Sequence, residues 1–83
     1  MDRYACPCCA YLTFASIPDG SFEMCPVCWW EDDPVQLDDP DYEGGANRVS
    51  LNQARRNFKK WGAIEERFRD KTRLPEPDEM PAK

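Results

Sequence analysis

The sequence predicts a small α+β domain held together by a metal staple, on three observations. The chain has 83 residues, a length that withdraws only about 60 to 65% of the unfolded surface from water and leaves a marginal core. Two Cys-Pro-x-Cys units, Cys6 to Cys9 and Cys25 to Cys28, stand with fifteen residues between them. A run beginning at Ser50 then carries apolar residues at helical spacing. The expected order is a β-hairpin bearing two cysteine knuckles, an acidic ordered loop, and one or two C-terminal helices. A single domain is expected over residues 1–74 and a disordered tail over 75–83.

The knuckles come first. Two cysteines three apart on a tight turn can place both sulfurs on one ion, and two such turns complete a tetrahedron of sulfur donors. Proline in the second position fits because its missing N–H is not needed and its fixed φ lowers the ordering entropy. This is the spacing of a zinc ribbon. Ala10 and Trp29 follow the knuckles where many ribbons have glycine. Between the knuckles, Tyr11 to Phe14 and Ser21 to Met24 read as short strands around an Ile17-Pro18-Asp19-Gly20 turn.

Residues 31–46 hold Pro34, Pro40, Gly44 and Gly45 among acids, a composition that favours neither helix nor central strand. The loop is expected to be pinned by Trp29, Trp30, Val35, Leu37 and Tyr42. Ser50 with Gln53 forms a capping-box pattern at a helix start. Leu51, Ala54, Phe58 and Trp61 fall on one face, and Gly62 is placed for a left-handed cap. A short second helix is expected to carry Ile64 and Phe68 inward. Beyond Leu74, a proline- and acid-rich run reads as disordered.

Cysteines can be ligands or disulfides, and the compartment decides. The stretch from Met1 to Phe14 lacks an apolar run behind a basic start, and no segment approaches a membrane span, so a reducing cytoplasmic setting is expected. Five cysteines suit four ligands and one spare thiol. Cys6, Cys9, Cys25 and Cys28 are the expected ligands of one structural Zn2+. Cys8 also lies near Cys6, but only the Cys6 and Cys9 spacing matches the second knuckle, so Cys8 is expected to point away as a packing thiol.

Four thiolates close the coordination shell, and the chain has no histidine, so no enzyme activity and no small-molecule substrate are expected. The enzymatic alternative is a thiol redox protein using Cys25-Pro26-Val27-Cys28, although no βαβ context surrounds that motif. A rubredoxin-like iron site is a second alternative, since thiolates also suit iron.

The net charge is −5, but the charges are segregated: seven acids and no base lie between Glu31 and Glu43, nine bases and three acids between Arg48 and Arg73. Asp39, Asp41 and Glu43 echo a calcium loop, which fails because its twelfth position would be Ser50. A protein partner is expected, engaged by Trp29, Trp30, Asp32, Asp33, Asp39, Asp41 and Tyr42, with one indole of the Trp29-Trp30 pair partly exposed as an anchor. The alternative partner is nucleic acid, bound by a basic helix over 50–73 through Arg55, Arg56, Lys59 and Lys60. No membrane contact is expected.

Three blocks occur together: Cys6-Pro7-Cys8-Cys9, then Cys25-Pro26-Val27-Cys28-Trp29-Trp30-Glu31-Asp32-Asp33, then Asp39-Pro40-Asp41-Tyr42-Glu43-Gly44-Gly45-Ala46-Asn47. In these the chain, over about residues 4–70, resembles the bacterial cysteine-rich CPCC family. The resemblance implies a small zinc-ribbon-like protein and carries no activity. It also implies that Tyr42, Gly44, Gly45 and Asn47 belong to a motif, so that the loop is a defined surface.

Overall fold

The computed structural model describes residues 3–81. Its elements in chain order are strands β1 (Tyr4–Ala5) and β2 (Leu12–Phe14), helices α1 (Pro34–Asp38) and α2 (Leu51–Trp61), and two 3₁₀ turns at Glu66–Phe68 and Pro77–Glu79. No helix among the described residues is long and apolar enough to cross a membrane.

The cysteine turns, not the segment between them, reverse the chain. β1 and β2 pair antiparallel, with Tyr4 opposite Phe14, so the first knuckle closes its own hairpin. Met24 bridges Glu31 in the same way across the second knuckle. The expected pairing of residues 11–14 with 21–24 does not form. The reason is Asp32, whose Oδ2 accepts from the backbone N–H groups of Asp19, Gly20 and Ser21 at 3.1, 2.9 and 3.0 Å. That carboxylate gathers the turn onto itself, and Phe22 N–H then donates to Asp32 O at 2.9 Å, fixing residues 22–24 against 30–32.

The acidic segment is ordered, but it contains a helix that its composition did not predict. Pro34 sits in the first turn of α1, where a missing N–H costs nothing, and Asp33 caps it by accepting from Val35 and Gln36. Below α1 lies the fully buried Gln36, whose Nε2 donates to the carbonyls of Tyr42, Asn47 and Val49 at 3.0, 3.0 and 2.9 Å. The two N–H bonds of one amide are thus shared among three loop carbonyls.

α2 begins and ends as its sequence predicts. Ser50 Oγ accepts from Gln53 N–H at 3.1 Å, and Gly62, at φ 74°, turns left-handed so that its N–H reaches Phe58 O. The capping box is half formed, because Gln53 Oε1 accepts from Arg56 instead of from the Ser50 N–H. Leu51 and Ala54 are buried, while Phe58 is half-buried against the core.

The expected second helix is a single 3₁₀ turn, although Ile64 is buried and Phe68 packs on the core as the pattern implied. The stretch expected to be a disordered tail is instead folded back as far as residue 81, and residues 82 and 83 lie outside the described part. Its anchor is Glu79, 1% exposed, which accepts from both terminal nitrogens of Arg73 at 2.8 Å and from Arg3 at 3.2 Å.

The core is one cluster in which sulfur and hydrocarbon mix: Cys6, Cys8, Cys25 and Cys28 lie with Phe14, Val27, Trp30, Leu51, Ala54 and Ile64.

Candidate metal centre

The two knuckles are conformational copies. Cys6 N–H donates to Tyr11 O at 2.9 Å and Ala10 N–H to Cys6 O at 2.9 Å; Cys25 N–H donates to Trp30 O and Trp29 N–H to Cys25 O, both at 2.8 Å. Ala10 and Trp29 both take the left-handed conformation, at φ 70° and 78°. The turn therefore demands that geometry of whatever residue follows the second cysteine, glycine or not, at a cost of roughly 1 to 3 kcal/mol each.

These turns bring the Sγ atoms of Cys6, Cys9, Cys25 and Cys28 within 4.8 Å of one another. The close contacts run between knuckles: Cys6 to Cys28 at 3.6 Å and Cys9 to Cys25 at 3.7 Å. A regular tetrahedron with metal–sulfur bonds of ~2.3 Å has edges of about 3.8 Å, so these separations fit one thiolate-bound cation and are far too long for disulfides. Cys6, Cys25 and Cys28 are buried and Cys9 half-buried. Cys8 stands outside the group, buried in the core as a packing thiol, and its N–H donates to Cys6 Sγ at 3.4 Å.

The protonation balance points the same way. Hydrogen bonds from Cys28 foremost, then from Cys6, Cys9 and Thr13, pull the Cys25 thiol far below its usual range. Hydrogen bonding to Cys25 is the largest influence pushing Cys6 and Cys9 up, and burial is the largest for Cys28. Without a cation the four sulfurs compete for negative charge, and stabilising it on one raises the others. A divalent cation at their centre reverses that balance by making each thiolate favourable. The donor set fits a soft or borderline metal and offers no open position.

Later segments hold the centre. Thr13 Oγ1 donates to Cys25 Sγ at 3.1 Å, and Arg55 Nε to Pro7 O at 2.9 Å. Ile64 N–H donates to Cys28 O at 2.9 Å and Arg73 N–H to Pro26 O at 3.2 Å. Thr13 was legible only as a strand residue; that it turns toward the sulfur follows from β2 pairing with β1.

The residues expected to face a partner divide. Trp30 and Asp32 are fully buried and Asp33 nearly so, which removes all three from the expected surface. Trp30 fills the core, Asp32 organises the turn, and Asp33 caps α1. Burial works against the charge of Asp33, but N–H groups of Ala46, Val35 and Gln36 outweigh it and hold the carboxyl below its ordinary value. Asp39, Asp41 and Tyr42 are exposed. Trp29 is half-buried against Phe68, with ring centroids 6.3 Å apart. Of the helix cations, Arg55 is committed to Pro7 and Asn52 and Arg56 bonds Gln53, while Lys59 and Lys60 are exposed.

No curated protein matches this chain. The family described as Cysteine-rich CPCC does match, over residues 4–79, which takes in both knuckles, the Gln36 and Asn47 loop, and the buried Glu79. By its sequence and by the paired turns that carry the four sulfurs, the chain belongs to the cysteine-rich CPCC family.

Proposed function

We infer that this is a zinc-stapled, non-enzymatic interaction module, ribbon-like in its two knuckles, whose ion builds the fold and whose acidic turn meets a partner protein. The observation that carries the zinc reading is the closed set of four sulfurs embedded in the core. A shell with no place for water serves structure and not Lewis-acid chemistry. The same four sulfurs also suit iron, and the metal content separates the two.

Support for the partner surface comes from rigidity. Val35 is 51% and Tyr42 44% exposed, yet both sit on a segment whose interior is locked by Gln36. Asp38, Asp39, Asp41 and Glu43 surround them, all exposed. Apolar anchors on a pre-organised acidic rim suit a basic partner, because little ordering entropy is spent on binding. A nucleic-acid reading draws on Lys59 and Lys60, but Arg55 is already used to fasten α2 to the first knuckle.

Elemental analysis with a thiol count on freshly purified protein tests the first half: one zinc is expected, with five thiols reacting after denaturation in chelator, and a coloured iron protein overturns it. For the second half, a captured protein should be lost with Tyr42→Ala or with Asp39→Asn and Asp41→Asn combined, and should elute with salt. Capture indifferent to all of these removes the acidic turn as the interface.

A further inference from the structure

Between the end of α2 and the chain at residues 69–75 lies a cleft of about 350 Å³. That volume falls at the low end of the range for small-ligand pockets, about 300 to 1,000 Å³. One wall is aromatic: Tyr11, Phe58 and Trp61 line it, with Val27 of the second knuckle. Tyr11 and Phe58 already meet edge to face at 6.3 Å, an arrangement that a further flat ring extends favourably. Leu74, 86% exposed, also lines the cleft and is apolar surface that an occupant would cover.

Two arginines, Arg69 and Arg73, also line the cleft. They are not equivalent. Arg73 is balanced by Glu79, held through two bonds of 2.8 Å, and Glu79 is buried. Arg69 has only Glu66 at 3.7 Å, with both side chains more than half exposed. An exposed pair of that kind is weakly held, so Arg69 can exchange it for a better-placed anion. Lys60 Nζ lies 4.9 Å from the ring centroid of Trp61, one of the lining residues, and adds positive potential near the cleft.

We propose that this cleft is a binding site for a small aromatic monocarboxylate, its ring against Tyr11, Phe58 and Trp61 and its carboxylate on Arg69. One uncommitted guanidinium matches one negative charge, and the aromatic wall matches one ring with a short arm. The site is separate from the acidic turn and does not depend on the partner reading.

The test is a titration of the full ¹⁵N-labelled chain, as purified, with 3-phenylpropionate and separately with its neutral amide. Saturable shifts are expected at the backbone amides of Val27, Gly62 and Thr72. The carboxylate should bind about tenfold more tightly than the amide, as one charge-assisted hydrogen bond provides. Arg69→Gln should erase that difference by weakening binding of the acid far more than binding of the amide, and Arg69→Lys should keep most of it. The proposal is overturned by absence of saturable shifts up to about 10 mM. Equal affinity for acid and amide, or an Arg69→Gln protein that still prefers the acid, overturns it as well.

Discussion

Gln36 and Asn47 meet beneath the acidic turn, where Gln36 Oε1 accepts from both the backbone N–H of Asn47 at 3.1 Å and its Nδ2 at 2.9 Å. Asn47 also brackets Glu31, accepting from its N–H at 2.9 Å and donating to its carbonyl at 2.8 Å. Two buried amides thereby tie α1, the loop and the strand end after the second knuckle into one unit. Asn47→Ala removes three of these bonds and leaves buried groups without partners. The expected loss is about 2 to 4 kcal/mol, read as a lowered midpoint in chemical denaturation of the metal-loaded protein.

Gly45 shows how tightly that unit closes. A Cβ built there stands 2.5 Å from Asp33 Oδ2 and 2.9 Å from Gln36 Cδ, whereas one at Gly44 meets nothing within 4 Å. Gly44→Ala should therefore cost only the strain of its φ of 82°, about 1 kcal/mol. Gly45→Ala should cost more, about 1 to 3 kcal/mol, because Asp33 Oδ2 must give up its bond from Ala46 N–H or the loop must shift. Equal midpoints for the two variants would show that the close approach has no energetic weight.

Metal removal should unfold the protein. Structural zinc contributes an apparent binding free energy of ~10 to 16 kcal/mol in small domains, more than the net stability of most folds this size. With chelator, dispersion of amide resonances and Trp30 burial should vanish together and return on adding zinc. Cys8→Ser should keep one bound metal, since Cys8 lies outside the sulfur group, while Cys25→Ser should lose it. A native-like apo spectrum would sink the metal-staple reading.

The latch at Glu79 gives a pH signature. Its carboxyl is held at about 2, below the ordinary 4.5, first by hydrogen bonds from Arg73 and against the opposing effect of burial. A depressed carboxyl contributes stability that is complete above the unfolded value and is lost as pH falls through the folded one. The stability gap between wild type and Glu79→Gln should then be constant from neutral pH down to about 5 and shrink toward 2. Acid also releases metal from both proteins, so the comparison is read over the pH range in which each still binds it. A gap that widens on acidification would contradict the assignment.

What could be read from the sequence was whatever depends on a few neighbouring residues. The four sulfurs follow from two repeated turns, and α2 follows from Ser50, Gly62 and the spacing between them. What escaped depends on side chains that replace backbone partners over long range. Asp32 reads as one more solvent-facing acid, yet by accepting three N–H groups of a distant turn it decides which strands pair. Asp33 and Pro34 are poor helix residues by composition and good helix starters by position, so α1 was hidden. Glu79 sits in a proline-rich stretch that looks unstructured because nothing nearby marks Arg73 and Arg3 as its partners. The Glu76 and Glu79 spacing, which forms a capping box around the last 3₁₀ turn, was the one local hint.

The contact between Arg3 and Glu79 closes residues 3–79 into nearly a ring, since positions 76 apart in sequence share one ion-pair cluster. A covalent cross-link placed at that contact would restrict the denatured ensemble far more than the native one, so resistance to heat should rise without altering a single core contact.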